Sequence, residues 1–223
     1  MTGAQPMGGS AEKPVLWTST FTSGTLAHQV AAVSGLPFEL RFISLRAGDH
    51  KKPGYLAVNP KGEVPALQLP GGVVVTELPA IIQWFADAAP DSGLLPRDPA
   101  RRIKGIEWLA WCHWSMGRHF NPCFAAIRFV DGDEAAATVV RAAALKRVRA
   151  ALGFGEAALA AHGGTLLGTD APSAPDIFLV TLGQFAGFLK LDISDLPALG
   201  ALTARVMAMP AIAAAMAREK AQG

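Results

Sequence analysis

Hydroxyl side chains crowd one short stretch near the start of the chain, Thr18-Ser19-Thr20-Phe21-Thr22-Ser23-Gly24. Ahead of a helix, such residues donate and accept hydrogen bonds, toward the helix's own free N–H groups or toward a ligand. A second group, Asn59-Pro60-Lys61-Gly62-Glu63-Val64-Pro65-Ala66-Leu67, joins two turn-forming dipeptides to a Val-Pro bond just before an apolar run. Thr76-Glu77-Leu78-Pro79 then sets an acid at a helix start, where a carboxylate complements the positive end of the helix dipole. Basic residues gather far downstream as His113, Arg118 and His119, within a segment carrying Trp108, Trp111 and Trp114 at helical spacing. That spacing reads as core or domain interface. Ser173 followed three positions later by Asp176 forms a capping box, a structural device. Cys112 and Cys123 match neither a CxxC redox motif nor a zinc knuckle, and they read as core thiols.

The elements that must position these groups follow from periodicity. Val15-Leu16-Trp17 is a short apolar run, the hydroxyl loop follows, and Leu26, Val30 and Val33 then recur at helical spacing up to Ser34-Gly35. Phe38 to Leu45 alternates and is rich in strand-forming residues, so strand, helix and strand imply a parallel crossover. Arg46 to Gly54 reads as loop; Ala66 to Leu69 and Val73 to Val75 flank a Pro-Gly-Gly turn and form a hairpin. Ile81, Ile82 and Phe85 share a helical face that ends at Ala89-Pro90. Residues 14–89 are therefore expected to fold as an α/β unit of βαβ followed by ββα. Residues 90–99, with three prolines, are expected to form a linker and 100–223 an all-helical domain with breaks at Asp131-Gly132, Gly163-Gly164, Asp192 to Pro197 and Met209-Pro210. The first thirteen residues read as a disordered tail without a secretory signal.

A small α/β unit, a proline-bearing linker and an all-α domain resemble the cytosolic glutathione S-transferases, whose first domain is thioredoxin-like. The nine residues Asn59 to Leu67 are similar to that family's NPxGxVPxL signature, and the resemblance extends over about residues 14–210, most closely to the bacterial beta-type branch. It implies a cis Val64-Pro65 bond whose backbone turns toward the cysteinyl unit of glutathione. It also implies that Glu77 and the helix start at Leu78 hold the γ-glutamyl group, although Leu78 lacks the hydroxyl of the family pattern. Trp17 and Thr18 fall at the family's first-strand tyrosine pair, and Ser23 falls at its cysteine. Stabilisation of the glutathione thiolate is thereby assigned to Ser23 first and Thr22 second. The helix around Trp108 to Pro122 corresponds to the one that faces the thiol: Gly117 replaces a histidine, Arg118 stands at a lysine, and Met116 with Phe120 is expected to line the electrophile pocket.

Composition narrows the partners. The chain has 223 residues, 51% hydrophobic, with 20 Lys+Arg against 18 Asp+Glu and a net charge of +2. No run of like charge marks a nucleic-acid footprint, and mean hydropathy of +0.29 comes without an apolar run of membrane-spanning length. Glutathione, a small electrophile and a second copy of the chain are the expected partners, with no metal and a cytoplasmic location. Three readings result: conjugation of glutathione to an electrophile; a glutathione-dependent isomerase, dehalogenase or peroxidase; or a glutathione-binding carrier with little turnover.

Overall fold

The computed structural model describes residues 13–222, so the expected tail lies outside the described residues except for Lys13. Its first half is built on a four-stranded sheet in the order β2-β1-β3-β4. Strand β1 (Val15–Thr18) is central, parallel to β2 (Glu39–Phe42) and antiparallel to β3 (Ala66–Gln68), and β4 (Val74–Thr76) completes the hairpin. Leu16 pairs with Leu40 on one side and Leu67 on the other. Helix α1 (Ser23–Ser34) makes the parallel crossover and stops at Gly35, whose φ of 70° completes a left-handed cap. Its buried residues Leu26, Ala27, Val30 and Ala31 meet Ile81, Ile82 and Phe85 of α3 (Leu78–Ala88). Each large side chain so buried contributes about 2 kcal/mol.

The segment read as loop between β2 and β3 holds a short helix, α2 (Pro53–Leu56). Pro53 supplies the preset φ of a first helical position, a signal available in the sequence. Tyr55 of this turn and Asn59 both donate to the Glu63 carbonyl, at 2.5 and 2.7 Å, and so shape the approach to Val64-Pro65.

The second half is helical: α4 (Pro99–Ala110), α5 (Phe120–Ala125), α6 (Glu134–Ala161), α7 (Ala174–Phe188), α8 (Pro197–Met207) and α9 (Pro210–Lys220). The helix expected around Trp108 to Pro122 is not uniform. It widens into a π-type turn over Trp111–Met116, tightens over Gly117–His119, and only then becomes α5. Gly117 donates its N–H to the Cys112 carbonyl, and a Cβ at 117 would stand 3.0 Å from that oxygen. A side chain there would press on backbone that has little room to give.

Helix α7 runs through the helical domain with residues 174–183 all buried, while its last turn carries the exposed Phe188. Asp176 near its start accepts from the Leu166 N–H at 2.7 Å, the Ser173 N–H at 2.7 Å and the Ser173 hydroxyl at 2.6 Å. Removing the carboxylate orphans these donors in a buried setting, at a cost of 1.5–3 kcal/mol per bond to a charged group, reduced where a donor finds water. Asp176→Ala is expected to lower unfolding stability by about 3 kcal/mol or more, with Asp176→Asn between it and the parent. Urea denaturation midpoints check the order.

Candidate active site

A cleft of about 860 Å³ opens between the α/β and helical halves. Its floor is the start of α1. Thr22 caps the helix, accepting from the Gly24 N–H at 3.0 Å and donating to the Ser19 carbonyl at 2.6 Å. Both functions of its hydroxyl are thus engaged locally. Ser23 is exposed at the first helical position and donates to the Val64 carbonyl at 3.0 Å. Gly24 lets this turn seat against β1, since a Cβ there would lie 2.3 Å from the Thr18 Oγ1.

The opposite side of the floor comes from the Asn59 to Leu67 loop. The Val64-Pro65 bond is cis, and both residues line the cleft. Beyond them Glu77 precedes α3 with a positive φ of 68°. Its carboxylate accepts from Lys61 Nζ at 2.5 Å and lies 3.7 Å from His113 Nε2. The Lys61 hydrogen bond is the main reason its carboxyl is held below the ordinary range. Leu78, 1% exposed, opens α3 and lines the cleft, with its N–H among the free donors of a helix start.

The roof comes from the helical half. Gly117, Arg118 and Phe120 line the cleft, as do His113 and Trp114. Met116 does not: it is fully buried, as is Cys112 one turn earlier on the same face. The expectation that Met116 lines an electrophile pocket is therefore corrected, because i,i+4 spacing puts it with Cys112 in the core. Trp108 and Trp111 pack edge to face at 5.4 Å and against Phe154, whereas Trp114 is 67% exposed at the cleft, carried there by the π-type turn. His119 stays outside the lining, its pKa lowered by burial and by Arg118 and Arg147. Trp17 packs on Tyr55 and under Arg41, and Thr18 is buried behind Gly24.

Sequence reasoning gave Lys61 no role, although it stands inside the quoted motif; its contact with Glu77 needs the fold. Phe124, Arg128, Phe129 and Phe185, also in the lining, were missed outright. They carry no local motif.

Comparison with known proteins agrees with this architecture. Residues 27–88 match the glutathione S-transferase N-terminal domain, and residues 122–210 match the glutathione S-transferase C-terminal domain. The glutathione S-transferase GstA of Escherichia coli O157:H7 is 34% identical over 166 residues, which is 74% of this chain and 78% of that protein. A glutathione transferase from Methylococcus capsulatus str. Bath is 34% identical with a TM-score of 0.79, covering 93% of this chain and 99% of the other. A sphingomonad glutathione S-transferase complexed with glutathione is 29% identical with a TM-score of 0.80, covering 92% and 98%. The sheet order, the helical second half and these matches together establish that the chain belongs to the glutathione S-transferase family.

Proposed function

We propose that the protein binds glutathione in the cleft between its two halves and stabilises the thiolate for attack on a small hydrophobic electrophile. The observation that carries this reading is that Ser23, Val64 and Glu77, from three separate elements, open on one cleft. The cysteinyl backbone pairs with Val64, whose carbonyl is already within hydrogen-bond reach of the Ser23 hydroxyl. The γ-glutamyl ammonium goes to Glu77, and its carboxylate goes to the Leu78 N–H at the start of α3, since Pro79 has no N–H and Ala80 donates to the Glu77 carbonyl. Glutathione with its thiol ionised is a net anion. Lys51, Lys61 and Arg118 in the lining outnumber Glu63 and Glu77, which favours that form.

Catalysis is a matter of the thiol's ionisation. A free thiol of pKa about 8.5 is only a few per cent thiolate near neutrality, and each unit of depression corresponds to about 1.4 kcal/mol. When the cysteinyl N–H takes the Val64 carbonyl, the Ser23 hydroxyl turns its proton toward the sulfur. Thr22 is the lesser candidate, since its hydroxyl already serves the helix cap. Arg118 adds a cation for the thiolate or the glycyl carboxylate, and Phe120 belongs to the apolar wall. We further propose a homodimer, for which Val73 and Ile103, both exposed apolar side chains, offer surface; its mass in solution tests this.

Retention on immobilised glutathione together with turnover of 1-chloro-2,4-dinitrobenzene tests the assignment. Retention without turnover would make the protein a carrier, and neither would refute the glutathione site. Ser23→Ala is expected to lower kcat at least about tenfold, roughly one thiol pKa unit or more, while leaving glutathione affinity nearly intact. An unchanged rate would transfer the role to another donor. Glu77→Gln is expected to weaken glutathione binding by about 1.5–3 kcal/mol, some tenfold to a hundredfold in Kd. Because Lys61 lowers the Glu77 pKa, this contact persists as pH falls and is lost only below the ordinary glutamate range. Calorimetric Kd values should therefore lose no Glu77-dependent affinity between pH 7 and about 5.

A further inference from the structure

Aromatic surface that folding does not account for gathers at the cleft and, with Phe188, just outside its lining. Phe21 is 83% exposed, Phe188 71%, Phe129 57% and Phe124 46%. They are not scattered. Phe21 meets Phe188 at 6.4 Å between ring centroids, Phe188 meets Phe124 at 6.2 Å, and Phe124 meets Phe185 edge-on at 6.4 Å. The ladder begins beside Ser23, because Phe21 belongs to the hydroxyl loop, and it ends on α5 and α7. Phe21 is held there at φ of 54°, a conformation that non-glycine residues adopt reluctantly and that tends to persist at functional sites. Rings spaced in this way offer faces and edges to another aromatic ring at the same separations.

A second arginine besides Arg118 lines the same cleft as these rings. Arg128 lines the cleft on the short turn Ala126–Phe129, between Phe124 and Phe129 in the chain. Among the described residues it has no carboxylate partner. Glutathione leaves it without a task, since its two carboxylates are met by the α3 start and by Arg118. A guanidinium beside apolar rings is a selective site for a planar anion, which it can hold with paired N–H donors. Resting on the proposed conjugation, we infer that the electrophile is a flat aromatic molecule bearing a carboxylate or similar anionic group, with its ring on the phenylalanine ladder and its anion on Arg128. The reacting ring carbon is then turned toward the sulfur beside Ser23. For a chloroarene, the glutathione sulfur forms the new C–S bond, the C–Cl bond breaks, and chloride leaves with its electron pair. The thiol proton has already passed to solvent.

A pair matched in shape but differing in charge tests this: 4-chloro-3,5-dinitrobenzoate and its primary amide, each kcat/KM divided by the uncatalysed rate with glutathione. The unmodified protein is expected to favour the benzoate at least about fivefold. Arg128→Gln should bring that ratio near one, and Arg128→Lys should retain part of it, with unfolding temperature recorded for each. A purely structural role for Arg128 would move both substrates together and leave the ratio unchanged, which overturns the inference. A ratio of one or less in the unmodified protein, or its loss in Arg118→Gln instead, does the same. If 1-chloro-2,4-dinitrobenzene is turned over and neither member of the pair is, the inference fails while conjugation stands. If no chloroarene reacts at all, the conjugation reading fails and takes the inference with it.

Discussion

Helix α1 must seat its first turn against the end of β1 and its body against two helices of the other half, and the cleft exists only where both contacts are met. The first contact depends on Gly24, because Thr18 Oγ1 occupies the space of any Cβ. The second depends on polar side chains buried along α1. Gln29 receives the Thr181 hydroxyl of α7 at 3.0 Å, and Glu219 of α9 accepts from Thr25 at 2.7 Å and lies 3.1 Å from His28 Nδ1. Apolar packing is tolerant of small rotations. A buried hydrogen bond is not, because its loss leaves a polar group unpaired at about 1–3 kcal/mol. These bonds therefore fix the angle of α1, and with it the position of Ser23 relative to the helical roof.

That arrangement explains why so much of the binding floor is main chain. The Val64 carbonyl, the Leu78 N–H at the start of α3 and the donors at the start of α1 are all backbone features fixed by the fold. Substitution at Leu78 removes a hydroxyl and leaves the N–H in place. The side chains that do contribute to the floor, Ser23 and Glu77, are held at the ends of helices and so inherit their precision from them.

Local patterns were legible and distant ones were not. The crossover of β1, α1 and β2, the hairpin and the Ser173 to Asp176 box announce themselves within a few residues, through periodicity, a Gly-Gly turn or a capping pair. Helix α2 was missed because one turn has no periodicity to detect, and only Pro53 hinted at it. The side of the helix presented by Trp114 was misread because a π-type turn shifts the face, which a fixed 3.6-residue period cannot register. Phe21 and Phe188 meet across more than half of the chain, so their contact is a product of the domain joint alone.

The same π-type turn bears on the chemistry. In the family pattern a histidine and then a lysine face the thiol, whereas here the Gly117 N–H closes the wide turn onto the Cys112 carbonyl, where a Cβ would stand 3.0 Å from that oxygen. A histidine at 117 would require the Cys112 carbonyl to give by a few tenths of an ångström, unless the turn reverts to a regular helix. Reversion would rotate Trp114 relative to Met116 and disturb the Cys112 and Met116 packing, both fully buried. The basic group facing the cleft therefore falls to Arg118, one position on and still exposed to the lining. The tight fit at Gly117 and the exposure of Arg118 thus lie together at the close of the same wide turn.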